Sequence, residues 1–202
     1  MSPRSASLLS GKPLLWALLA LPAAVTLYDY ASGAALADEL LHPTGEWSAR
    51  LLVVALALTP LSILFQRSAA LRWLLARRRA FGVAAFGYAA LHLLFYVLDM
   101  GGVPPMLGEV ALPGIWTGWA ALALLLPLAL TSSDSAMRAL KRGWKRLQRL
   151  AYPAAILTFA HWVTVHNGWR GALLWFGPLA ALQLVRIFRL IPSQQNPKEN
   201  IA

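Results

Sequence analysis

The residues best suited to chemistry in this sequence are two histidines, His92 and His161, each set inside a long apolar stretch. An ionisable side chain surrounded by lipid is costly, so a histidine in such a stretch is a functional candidate by default. His92 lies eleven residues beyond Phe81, and His161 eleven beyond Leu150, where their apolar stretches begin. At about 1.5 Å per residue both rings would lie roughly 16 Å into their helices, near mid-membrane and level with each other. Two neutral imidazoles facing at equal depth can supply the two axial ligands of one heme iron. The plainer reading is that small neighbours let helices pack closely and each histidine hydrogen-bonds across the bundle.

The helices carrying such a pair must also stand far enough apart to admit a flat macrocycle. Gly82, Ala85, Ala89, His92 and Tyr96 recur at three- and four-residue spacing, which gathers small residues beside the histidine on one helical face. Ala154, Thr158 and His161 do the same on the second stretch. His166, five positions beyond His161, falls on a different face and reads as a solvated loop residue, and His42 falls in a connecting loop. Arg77, Arg78 and Arg79 are first of all topology determinants. These three, Arg78 and Arg79 above all, could also pair with heme propionates or a flavin phosphate, since a guanidinium suits both groups. Trp144, Trp162 and Trp169, with Tyr152, flank the second stretch, and interfacial anchoring explains most of them.

Much chemistry is excluded. There is no Cys, which removes disulfides, thiolate-ligated zinc, iron–sulfur clusters and thiol catalysis. Asp134 is the one acid in a basic connection, and no paired carboxylates or activated nucleophile support a hydrolase. A Gly-rich phosphate loop or dinucleotide fingerprint is missing, so any nicotinamide would bind another polypeptide. No catalytic residue is assigned.

Composition points to lipid as the solvent, with 58% apolar and only 13% charged residues in 202. Apolar runs predict spans at 14–30, 48–65, 81–100, 114–131, 150–166 and 171–190, an all-α bundle of about six transmembrane helices. Pro22, Pro60, Pro127, Pro153 and Pro178 fall inside these spans, where kinks are expected. Residues 1–191 read as one transmembrane domain and 192–202 as a polar tail. Ala35-Leu36-Ala37 resembles a signal-peptidase site, but Asp29 and the long stretch from Tyr28 to Leu36 favour a retained first helix.

The formal charge of +10 is distributed as a membrane protein would have it. Of the 18 Lys and Arg residues, all but Arg50 and Arg170 fall on one side of the bundle. Asp29, Asp38, Glu39, Glu46, Asp99 and Glu109 fall on the other. The positive-inside rule makes the basic side cytoplasmic, with both termini there, and leaves no basic stripe for nucleic acid.

Several short stretches, in order, resemble the MsrQ/YedZ family within the ferric-reductase-like transmembrane superfamily. They are Thr44-Gly45-Glu46-Trp47, Thr59-Pro60-Leu61, Arg78-Arg79-Ala80-Phe81-Gly82 running through Tyr88 to His92, and Leu130-Thr131-Ser132-Ser133. Trp144-Lys145-Arg146-Leu147-Gln148-Arg149-Leu150-Ala151-Tyr152 and then His161 complete the set. The resemblance implies a multi-pass inner-membrane electron conduit of the periplasmic methionine sulfoxide reductase system. It would carry heme b, and FMN as a further cofactor. Its donor would be quinol or a cytoplasmic flavin reductase, and its acceptor a periplasmic molybdenum-containing, MsrP-like reductase. His92 and His161 fall on the family's heme-ligand positions. The chain departs from the family at Gln148, where a histidine is usual, thirteen positions before His161. It departs again at Ala111-Leu112-Pro113-Gly114-Ile115-Trp116, where a basic stretch is expected. The competing class is a polytopic protein without heme, such as a small transporter or assembly partner, although few polar groups line the spans.

Overall fold

A computed structural model describes residues 11–166 and 168–190. Six long helices build the bundle: α1 (Lys12–Ala31), α2 (Ala37–Leu64), α4 (Arg78–Asp99), α6 (Pro113–Leu130), α9 (Ala151–His166) and α10 (Trp169–Leu190). Four short helices lie in the connections: α3 (Ala69–Ala76), α5 (Val103–Gly108), α7 (Asp134–Leu140) and α8 (Arg142–Leu147). Among the described residues there is no strand. Five helices are long and apolar enough to cross a membrane, the last as Trp169–Phe188. The sixth, α9, has 16 residues and is preceded by a 3-10 turn at Gln148–Leu150. The chain is thus an all-α membrane bundle.

Its packing is that of a protein dissolved in lipid. Leu52, Leu56 and Phe95 are buried between helices, whereas Leu130, Leu174 and Phe188 stand outward and exposed. Such an apolar exterior is stable only against hydrocarbon. The two most extensively packed neighbours are α2 with α4 and α6 with α9. Both pairs close on small residues. Ser48 of α2 meets Ala85 of α4, the Ser48 hydroxyl donating to the Ala85 carbonyl at 2.8 Å, and Ala49 and Ala85 are both fully buried. Where lipid removes the hydrophobic drive between helices, such close approach and the interhelical hydrogen bond hold the pair together.

Local sequence fixes the helix ends. Ser68 and Ser133 cap α3 and α7 by accepting the amides of Leu71 and Ala136. Gly101 and Gly102 take positive φ values of 72° and 139°, which lets the chain leave α4 and turn at once into α5. The clearest difference from the hydropathy reading is the start of α2. That helix begins at Ala37 rather than near residue 48, because Asp38 and Glu39 occupy its first turn and the Glu39 carboxylate accepts the Leu36 amide. Pro43 is tolerated inside it. Beside it the Thr44 hydroxyl donates to the carbonyls of Leu40 and Leu41 at 2.7 and 2.9 Å, so this buried polar group is satisfied within its own helix.

The first helix is tied into the bundle rather than left alongside it. Tyr88 of α4 donates to the Leu19 carbonyl at 2.8 Å and accepts the Ala23 amide at 2.9 Å. The Ala23 amide needs such a partner because Pro22 disturbs the helix just before it. The polar tail expected at 192–202 lies outside the described residues.

Candidate functional site

His92 on α4 and His161 on α9 face each other across the bundle. Their ring centroids are 6.0 Å apart and the ring planes are inclined at 82°. The expectation that they lie level is therefore met, but their depth differs from it. His92 stands seven residues before the end of α4 at Asp99, and His161 five before the end of α9 at His166. At about 1.5 Å per residue the pair is roughly 10 Å from the acidic end of the bundle, not midway. The early start of α4, at Arg78, accounts for this in His92, while α9 ends only five residues beyond His161.

Each ring is held in the same way. His92 Nδ1 donates to the Leu41 carbonyl of α2 at 2.9 Å, and His161 Nδ1 donates to the Gly114 carbonyl of α6 at 2.6 Å. A carbonyl only accepts, so Nδ1 must carry the proton in both rings and the lone pair lies on Nε2. Fixing a ligand histidine by a backbone carbonyl at its second nitrogen is the usual way a protein orients it toward a metal.

Glycine makes room for both rings. A Cβ on Gly45 would lie 3.1 Å from His92 Nδ1, and one on Gly118 would lie 2.7 Å from His161 Nδ1. Each glycine follows the accepting carbonyl by four residues, one helical turn further along α2 or α6. The two halves of the site are thus built alike: a histidine on one helix seats its ring in a notch one turn deep on its neighbour.

The histidines line a cavity of about 340 Å³. Ala49, Ala89, Gly118 and Ala121 leave its walls shallow, and Leu122, Leu125 and Trp162 make them apolar. Toward the acidic end the lining turns polar. His42 Nε2 lies 3.4 Å from Glu46, Arg50 pairs with Glu46 at 2.5 Å, and Tyr96 donates to Glu109 at 2.7 Å. Thr158, expected beside His161, does line the cavity, while Ala154 is fully buried in the helix packing. A Cβ on Gly82 would meet nothing within 4 Å, so its small size is not used by packing inside the chain.

These residues fit an iron porphyrin. With iron–nitrogen bonds of about 2 Å, as for imidazole on first-row metals, two in-line imidazoles have centroids about 6 Å apart. The observed separation matches, both tautomers are the ligating ones, and the neighbouring walls are apolar and small. Among the described residues no group of three His, Asp or Glu side chains could hold a bare metal ion.

The other sequence candidates lie elsewhere. Arg78 and Arg79 begin α4, at the end of the bundle opposite the histidines and outside the cavity. Arg79 pairs with Asp134 at 2.6 Å, and Arg78 donates to the Thr59 hydroxyl at 3.4 Å. That carboxylate is held below its usual range, chiefly by the hydrogen bond from Arg79 and also by its charge. His42 is on α2 rather than in a loop, because α2 starts early. Trp162 is a core residue packed edge-on against Phe176, not an interfacial anchor. His166 ends α9, and its side chain lies outside the described residues. Gln148, at the position of the family's usual histidine, donates its amide to the Leu128 carbonyl at 3.4 Å. The notch residues Gly45, Gly114 and Gly118 carried no role in the sequence reading, although their four-residue offset from the accepting backbone was available in it.

Residues 44–159 match the family described as "Ferric reductase like transmembrane component". Among curated proteins, the chain is 36% identical to the "Protein-methionine-sulfoxide reductase heme-binding subunit MsrQ" of Xanthomonas axonopodis pv. citri (strain 306), covering 96% of this chain and 94% of that one. It is 34% identical to the protein of the same name from Xanthomonas campestris pv. campestris (strain 8004), over 100% of this chain and 97% of that one. It is 36% identical to the one from Brucella anthropi, over 92% and 84%. No solved structure matches. With the relatives aligned over nearly their whole length and the family match covering residues 44–159, more than half of the chain, this chain belongs to the MsrQ family of ferric-reductase-like transmembrane proteins.

Proposed function

We propose that this protein is the heme b-carrying electron-transfer subunit of a methionine sulfoxide reductase system, in which His92 and His161 would hold the heme. The observation that carries the reading is the pair of rings 6.0 Å apart, each with Nδ1 committed to a backbone carbonyl. The names of the full-length relatives, heme-binding subunits of that reductase, agree with it. When bound, the heme supplies one-electron ferric–ferrous chemistry. The chain supplies the rest. Leu41 and Gly114 fix both imidazoles, Gly45 and Gly118 let them sit deep, and the apolar wall lowers the local dielectric.

The basic end faces the cytoplasm of a bacterial inner membrane, which puts both termini there. The histidines then lie near the periplasmic face, the side on which a molybdenum-containing, MsrP-like acceptor would dock. Electrons enter from quinol or a cytoplasmic flavin reductase, and catalysis of the final reduction belongs to the partner. Detergent-purified protein from heme-replete cells, reduced with dithionite, tests the proposal. A shifted Soret band and a sharp α-band support it. A protein that folds, is recovered in full and shows neither band overturns it.

A further inference from the structure

The end of the bundle opposite the histidines holds two cations that have no carboxylate partner among the described residues. Arg78 of α4 and Arg186 of α10 are half-buried and lie within electrostatic reach of each other, with Tyr152 of α9 beside both. Arg186 donates to the Tyr152 hydroxyl at 2.7 Å, and Arg78 to the Thr59 hydroxyl of α2 at 3.4 Å. Four helices therefore contribute one group each. Among the described residues no carboxylate pairs with either guanidinium. Asp134, the one described acid at this end, is taken by Arg79. Glu199 lies outside the described residues.

Two like charges held together in a half-buried setting repel each other, and each guanidinium has five N–H donors, far more than these contacts use. A tetrahedral oxyanion resolves both problems at once, because a guanidinium fork matches phosphate oxygens bidentately. The place matters as well. The cluster sits where the basic connections meet the membrane surface, the depth of lipid phosphates, and basic pockets between transmembrane helices at that level select anionic headgroups.

We infer that Arg78, Arg186 and Tyr152 form a phosphate-ester site at the basic end of the bundle, filled by the headgroup phosphate of an anionic phospholipid. This inference is independent of the heme reading. A soluble phosphate monoester such as FMN offers the same chemistry and is separated from the lipid by experiment.

The test is thermal unfolding of the full chain in neutral detergent with phosphatidylglycerol, phosphatidylcholine or FMN added. Phosphatidylglycerol should raise Tm by about 3–5 °C over phosphatidylcholine in the wild type and in Arg138→Gln, an exposed control. That rise should vanish in Arg78→Gln and Arg186→Gln and survive in Arg186→Lys, which keeps the charge. A rise with FMN alone, lost in the same two variants, supports the site with a soluble ester as occupant. The readout is the ligand-induced shift, so a lower starting Tm in a variant does not confuse it. The site is overturned if neither ligand moves Tm, or if the shift survives both glutamine substitutions.

Discussion

Gly118 and His161 are matched to each other: a methyl group on Gly118 would stand 2.7 Å from Nδ1 of the His161 ring, closer than any real contact of that kind. The ring cannot retreat without breaking its 2.6 Å hydrogen bond to the Gly114 carbonyl. Gly45 and His92 repeat the arrangement with slightly more room, at 3.1 Å.

Gly118→Ala should therefore displace the His161 ring at a cost of about 1–3 kcal/mol, typical of overpacking. Heme recovered per chain should fall well below the wild-type value, and Gly45→Ala should lower it less. Heme-to-protein ratio of the purified variants is the measurement. Full occupancy in Gly118→Ala would mean that the notch does not set the ring.

The 82° inclination of the two rings has a spectroscopic consequence. Perpendicular imidazoles act on different iron d orbitals and leave them nearly degenerate, whereas parallel rings split them. The ferric protein should give a low-spin electron paramagnetic resonance signal of the strongly anisotropic, large-gmax kind. A rhombic signal would show that the rings are parallel in the loaded protein.

Heme stoichiometry should be one per chain. The sequence has histidines only at 42, 92, 161 and 166, and all lie toward the acidic end. At the other end Gln148 offers an amide that is already bonded to the Leu128 carbonyl. A pyridine hemochromogen assay against amino-acid analysis gives the ratio, and a value near two would contradict this.

A modest acid sensitivity should follow from Arg79 and Asp134. The salt bridge lowers the Asp134 pKa in the folded chain, so its contribution is present above the ordinary aspartate pKa of about 4 and is lost as pH falls through the depressed value. The pair is exposed, so the effect is small. Tm of wild type and Asp134→Asn should differ near neutral pH and converge in acid. A gap that persists in strong acid, where the carboxylate is protonated, would remove the ion pair as its cause.

Hydropathy made the six-helix bundle legible, because a span needs a long apolar run and each run is bounded by charge. It also placed His92 and His161 on facing helices, since both follow a basic helix start by similar distances. It misplaced the start of α2, because Asp38, Glu39, His42 and Glu46 read as loop until their hydrogen bonds along a helix are known. The notches at Gly45 and Gly118 were written in the sequence but silent. A glycine says only that a side chain is missing, and the ring that takes its place comes from another helix. The pairing of Arg79 with Asp134, which leaves Arg78 to Arg186 and Tyr152, depends likewise on which side each residue of α4 presents.

The claim that one iron is gripped by His92 and His161 is tested most directly by the ferric spin state of wild type, His92→Ala and His161→Ala, each prepared with heme. The account predicts a low-spin signal in the wild type that is replaced by a high-spin signal, or lost with the heme, in each variant. A low-spin signal of undiminished size in both variants would contradict it.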